Sequence, residues 1–484
     1  MKDRFDVVVV GSGAGGGVVA GELAQRGRDV LLLEIGKHYT AADFVRWEAK
    51  MTHDLFWPLR LAPLPNGEML AFLAGRCVGG TTTINTKVAL RAHERDVAKW
   101  HAETGLTNEA GEPFAAADLD PYYDRVEGIL GVRERTDWTT SVYTVEAGLK
   151  VLGAELEPVH SYTDANCMRC GSCLQGCPTN AGKSTMNTYI HDACTQGLLE
   201  LRAEAAVERV LVEDGAATGV EYVDAAGETH VVHAGAVVAA CGALNTPQLL
   251  LRSGLNGPAV GKHLGLHPVR LVYGRFAEPQ DAHMVYPITA HCMTHQHDED
   301  GGYVLEATTI QDPISFATTL CDENGPMWGQ PLVDAVHRFR HWVGILAMVN
   351  DENNAAVVVE DGQERFEIAF NERELERIDA SFDFARRVLG AAGAQQVCWT
   401  GLASTHVQGS CRMGDDPERS VVDRNGEAHE VKRLFVGDGS LVPRTMSVNP
   451  SLTIMALATR LADHLDEDAN GYLGSRTLAA AART

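Results

Sequence analysis

Three groups of residues in this chain have the types and spacing to do chemistry. Gly11-Ser12-Gly13-Ala14-Gly15-Gly16 follows a β-branched run and precedes a helix-like stretch. Such a turn admits a pyrophosphate to a helix N-terminus: Gly11 allows the bend, Gly13 the approach of phosphate to backbone, and Gly16 the close packing of helix on strand. Glu34 ends the next apolar run, where an acid accepts hydrogen bonds from a ribose 2′-OH. That reads as FAD or NAD, not NADP. The second group, Cys167, Cys170, Cys173 and Cys177, has the spacing C-x2-C-x2-C-x3-C-P. Thiolates at these intervals can converge on an iron–sulfur cluster; zinc and reduced structural thiols are the alternatives. Cys177 is the uncertain ligand, because in two-cluster ferredoxins the fourth cysteine of such a run serves the other cluster. Third, the strand-like Leu434-Phe435-Val436 ends in Gly437-Asp438, and Asn449-Pro450 opens an apolar helix whose N-terminus can face an anion.

These groups need elements to hold them. Asp6 to Val10, Val30 to Leu33 and Ala236 to Ala240 read as strands of a parallel sheet buried on both faces, with a helix over Val18 to Gln25. Gly75-Arg76-Cys77-Val78-Gly79-Gly80-Thr81-Thr82-Thr83-Ile84-Asn85 is too polar for a core strand and too rich in glycine for a helix, so it reads as a loop that brings N–H groups close to a ligand.

That loop, together with Gly242-Ala243-Leu244-Asn245-Thr246-Pro247 to Leu255, His406 to Gly414, and Gly437-Asp438 to Asn449-Pro450, resembles the glucose-methanol-choline (GMC) oxidoreductases, motif for motif and in order. The second signature departs at its last position, where Asn256 stands in place of glycine. The resemblance implies FAD-dependent oxidation of an alcohol CH–OH to a carbonyl, with hydride passing to flavin N5. His406 matches the family's base and Asn449 its partner, whose amide holds the alcohol oxygen. Gly79, Thr83, Asn85, Asp438, Asn449 and Pro450 join Gly11, Gly13, Gly16 and Glu34 as cofactor-binding residues. Ile84 occupies the place of the histidine that carries FAD covalently in some members, so non-covalent FAD is expected. His267-Pro268 resembles a structural turn of the family. The cysteine run is similar to an insertion in long-chain alcohol oxidases and certain sugar dehydrogenases, and a cluster there would favour a dehydrogenase over an oxidase.

The resulting fold class is α/β: a Rossmann-like FAD domain built from residues 1–90, 200–265 and 401–465, and an α+β substrate domain from 91–199 and 266–400. The cysteine-rich insertion spans 160–190 and the C-terminal tail 466–484. Composition fits a globular chain: 484 residues, 45% hydrophobic, 22% charged. A net charge of −24 disfavours nucleic acid and anionic lipid as partners, and no run reaches the ~20 apolar residues of a membrane span. The N-terminus lacks the apolar region of a secretory signal, so a cytoplasmic location is expected. The expected substrate is a primary hydroxyl of a sugar or amino sugar: the acidity points to a cationic one, as oxidised by similar enzymes of aminoglycoside (antibiotic) biosynthesis, while a neutral sugar or a long-chain or sterol alcohol stays open. Oxygen or a redox carrier would accept the electrons. A rival of another class is a flavin and iron–sulfur electron-transfer subunit without substrate chemistry. His291, His295 and His297 beside Cys292 fit no regular zinc spacing and read as a solvated loop.

Overall fold

A computed structural model describes residues 2–308, 312–467 and 470–474. Two sheets organise it. In the first, the valine-rich strand Arg4–Val10 runs parallel to Val30–Glu34 on one side and to Thr229–Ala239 on the other; Leu199–Ala203 extends the sheet beyond Val30–Glu34. Thr229–Ala239 is long enough to serve two partners. Its first half pairs antiparallel with Ala216–Val223, and Val237 to Ala239 pair parallel with Leu434–Val436. The buried β-branched runs are the expected ones, because helices Gly16–Gln25 and Ser451–Glu467, with the other segments of the same core, leave little solvated face over these strands.

The second sheet has 11 strands, mostly antiparallel, centred on Pro268–Arg275, Trp342–Val349 and Tyr303–Thr308. Helices Thr140–Val151 and Glu372–Ala391 close one face through Val142, Val145, Phe384 and Val388. Alternation sends the other set of side chains, among them Val269, Leu271, Glu306, Thr308 and Leu346, into a cavity beneath the sheet.

The chain divides between the sheets differently from the segments expected of the sequence. Strands Arg60–Pro63 and Met69–Phe72 leave the N-terminal segment for the second sheet by pairing through Ala403–Ser404. Helices Glu94–Thr104 and Asp120–Leu130, expected with the substrate domain, bury Val97, Trp100, Tyr123 and Val126 in the core of the first sheet. The start of the tail is held: Glu467 ends a helix, the Gly474 N–H donates to Asp6, and the Gly474 carbonyl accepts from Arg28. The rest of that tail, 468–469 and 475–484, lies outside the described residues.

Candidate active site

A cavity of about 950 Å³ runs between the two sheets, from the first glycine turn to the residues before the last helix. Gly11, Gly13, Glu34, Asn85, His406, Asp438, Asn449 and Pro450 all line it, although they lie up to 439 positions apart. Gly16, Gly79 and Thr83 do not: they stand behind the wall and shape it. A Cβ on Gly16 would lie 1.9 Å from the Gly11 carbonyl oxygen, so only glycine lets the helix start here. Gly79 takes φ 90° and donates its N–H to Ser12 Oγ at 2.9 Å, and Thr83 Oγ1 donates to the Val78 carbonyl.

The dinucleotide end is locked by its own side chains. Glu34 accepts from Ser12 N at 3.0 Å, Ser12 Oγ at 2.6 Å and Gly36 N at 2.8 Å, bonds that offset the burial raising its carboxyl above the usual range. Asp438 joins the C-terminal motif to the second signature by accepting from Ser440 N, Gly242 N and the Thr246 hydroxyl. Thr185, which the sequence did not mark, donates its hydroxyl to the Ser12 carbonyl and bonds Thr82, closing three loops on one another. A Cβ on Gly13 would meet nothing within 4 Å, whereas one on Gly15 would sit 1.7 Å from the Gly437 carbonyl oxygen. Open space over Gly13 before a helix N-terminus is the cradle a pyrophosphate requires, and the residues therefore fit FAD. Ile84 lines the same cavity with a hydrocarbon side chain that can form no flavin bond.

At the other end lie His406 and Asn449. Burial drives the His406 imidazole down to about 4, so it is neutral at pH 7. Its Nδ1 stands 3.2 Å from Nδ1 of His267. Expected only to make a turn, His267 is fully buried at φ 47°, with the N–H groups of Leu266 and His267 held by the Asp351 carboxylate. Burial and then His406 hold its ring well below the usual histidine range. One hydrogen must lie between the two Nδ1 atoms. If His406 carries it, its Nε2 keeps a lone pair and can act as a base; His267 then carries its own hydrogen on Nε2, a buried atom without a partner. Asn449, also buried, has no partner for Oδ1. Nearby, Asn85 donates to Tyr162 Oη, which bonds Ser451 at 3.2 Å and so ties the first signature to the last helix.

Sequence reasoning also missed Glu306 in the cavity wall. Its type is visible in YVLEAT, but nothing local tells that this position of the strand faces a ligand site.

The cysteine run reaches the cavity through Cys173, with Gly171 and Leu174. The four sulfurs interact electrostatically, yet among the described residues no three His, Cys, Asp or Glu side chains form a group that could hold a metal. Each thiol follows its own loop instead. Cys167 Sγ accepts from Arg169 N; Cys177 Sγ accepts from Gly182 N, and burial, which raises its pKa, is outweighed by that bond and by Thr179. Cys173 is pushed up to about 12 by burial. As arranged, these residues do not fit an iron–sulfur cluster, contrary to their spacing. The histidine loop also differs from expectation, for His291 is a buried strand residue.

An N-terminal GMC oxidoreductase family model matches residues 5–269 and a C-terminal one residues 350–458. A long-chain-alcohol oxidase of Arabidopsis thaliana is 29% identical over 94% of this chain, which spans about two thirds (66%) of that protein's length. An uncharacterised GMC-type oxidoreductase of Mycobacterium tuberculosis is 30% identical over 95% of this chain and 75% of its own. A 2-methyl-1,2-propanediol dehydrogenase of Mycolicibacterium austroafricanum is 28% identical over 98% and 97%. Among solved structures, pyridoxine 4-oxidase superposes with TM-score 0.73 at 18% identity over 96% of this chain and 99% of that one. Formate oxidase of Aspergillus oryzae gives the same score at 15% identity over 97% and 99%. At such identities the superpositions speak for the fold alone.

Proposed function

The chain belongs to the GMC oxidoreductase family, and from that premise we propose that it oxidises an alcohol to the carbonyl with non-covalent FAD, using His406 as base and Asn449 to hold the alcohol oxygen. The observation that carries this is the meeting of His406 and Asn449, 43 residues apart, in the wall of the cavity that begins at the Gly11–Gly16 turn. When bound, FAD supplies the acceptor for the hydride. The chain's own residues handle the proton and the oxygen. His406 Nε2 takes the hydroxyl proton while its Nδ1–H stays hydrogen-bonded to His267, and the imidazolium and oxyanion that develop together attract each other. The amide of Asn449 donates to the oxygen as its charge grows.

For the body of the substrate, Phe56, Trp57, Leu59, Met69, Leu271 and Leu346 offer apolar walls, and Leu59, Leu61 and Met69 are exposed. This favours a long-chain or other apolar alcohol over a sugar or the cationic amino sugar that the net charge suggests. The cationic alternative, which includes an aminoglycoside precursor, draws on Glu208 and Asp312 in the same wall. An iron–sulfur cluster has the support of the cysteine spacing but not of the thiols' arrangement, and no step is routed through one. Iron and acid-labile sulfide counted against protein test it.

The deciding experiment is anaerobic bleaching of the FAD-loaded enzyme by a panel of n-alkanols, diols, neutral sugars and amino sugars, repeated with oxygen or a dye as acceptor. Bleaching by apolar primary alcohols is expected. An electron-transfer subunit without substrate chemistry would leave the FAD oxidised with every alcohol.

A further inference from the structure

Glu306 has only 1% of its surface exposed, lies in the cavity wall, and has a hydrogen-bond partner for neither carboxylate oxygen. The side chain that reaches it is Asn449, whose own Oδ1 is buried and unpartnered as well. The Asn449 amide thus faces the acid with its N–H side, too loosely for a well-formed hydrogen bond, and its own Oδ1 is left without a donor. Among the described residues no charged group compensates the acid. Across the strands its neighbours are Leu346 on Trp342–Val349 and His291 on Ile288–Cys292. Burial, followed by the influence of His160, pulls His291 down to about 4, so it is neutral near pH 7. His406 and His267, farther along the site, are neutral for the same reason. An unpaired buried charge is costly and neutralises when it can.

We propose that Glu306 is the positioning residue of Asn449: as a neutral acid it donates its O–H to Asn449 Oδ1 and thereby turns the amide N–H groups toward the substrate oxygen. This rests on the reading of Asn449 given above. One proton and a half-turn of the amide, whose oxygen and nitrogen exchange places, give a donor to the orphaned Oδ1. Burial raises the Glu306 carboxyl to about 7, which places the switch in the physiological range. Ionised Glu306 would instead claim the amide N–H groups and turn Oδ1 toward the substrate, setting acceptor against acceptor. No proton passes between the two side chains: Glu306 takes up one proton from solvent as pH falls and keeps it in its O–H bond while donating to Asn449 Oδ1.

Two readouts test this on the FAD-loaded enzyme. Infrared difference spectra across pH should show the carbonyl band of a buried protonated carboxyl group that titrates near pH 7 and is missing from Glu306→Gln. The rate constant of FAD reduction by 1-octanol should fall about tenfold per pH unit above the same midpoint. Glutamine donates at every pH and cannot ionise, so Glu306→Gln should lose this alkaline limb, while Glu306→Leu should be at least tenfold slower throughout. Absence of the band at pH 6, or an alkaline limb that persists in Glu306→Gln, overturns the proposal. A chain that no alcohol reduces, yet which shows the titrating band, would overturn the proposed function while supporting the protonated state of Glu306.

Discussion

Substituting His267 tests the base most sharply, because among the described residues His267 is the side chain that meets His406 Nδ1, at 3.2 Å. In the resting site it joins two neutral rings, a bond of about 0.5–1.5 kcal/mol. As the alcohol proton arrives, His406 becomes cationic and the bond charge-assisted, about 1.5–3 kcal/mol. His267→Phe keeps a ring in the space but offers no acceptor. The resting bond is lost as well, so the rate feels only the difference of about 1–1.5 kcal/mol; at 1.36 kcal/mol per decade, FAD reduction should slow by about 5- to 13-fold, with the substrate's dissociation constant nearly unchanged. His267→Asn is the paired control, since its Oδ1 falls near the position of the lost nitrogen and asparagine accepts the φ of 47° found there. Anaerobic stopped-flow traces over a range of alcohol concentrations separate binding from reduction. A His267→Phe enzyme within twofold of wild type, or a His267→Asn enzyme no faster than it, would refute the tautomer assigned to His406 and the positioning role of His267.

Gly13→Ala should fold normally but lose FAD affinity at least tenfold by equilibrium titration, because its Cβ enters the open cradle, whereas Gly15→Ala should yield no soluble chain, its Cβ meeting Gly437. Asp438→Asn keeps shape but turns one of the two acceptor oxygens into a donor, which must then face either the Ser440 or the Gly242 N–H, and should cost about 1–3 kcal/mol in denaturant unfolding. Stability should fall as pH drops from 6.5 toward 4. His291 and His406 titrate near 4 when folded and near 6.5 when unfolded, so each contributes about 3 kcal/mol above pH 6.5 that is lost as pH falls through 4. Melting temperatures across that window should fall less steeply in His291→Gln.

What the sequence disclosed follows from the range of the interactions concerned. The Gly11–Gly16 turn and Glu34 were legible because their geometry is local: a strand, a bend and a helix start written in consecutive residues. His406 and Asn449 were legible through motifs, not physics, since nothing in the bare residues says that they meet. Glu306 and His267 escaped because their roles exist only across strands and loops that pair at long range. Likewise Met69–Phe72 looks like any short strand until Ala403–Ser404 recruits it to the second sheet. The cysteine run shows the opposite failure: spacing announces a cluster, but where each sulfur points is decided by neighbours such as Gly182 and Arg169.

The parallel pairing of Val237–Ala239 with Leu434–Val436 has a consequence for biosynthesis. While the chain leaves the ribosome, the strand that already flanks Arg4–Val10 keeps an open apolar border until some 200 further residues have been made. Translation from the first glycine turn to Asn449 takes about 20 to 90 s, and FAD can find both ends of its site only afterwards. The nascent chain therefore passes through a long interval in which that border must be shielded from other chains, and supply of FAD is a late checkpoint on yield, not a nucleus for folding.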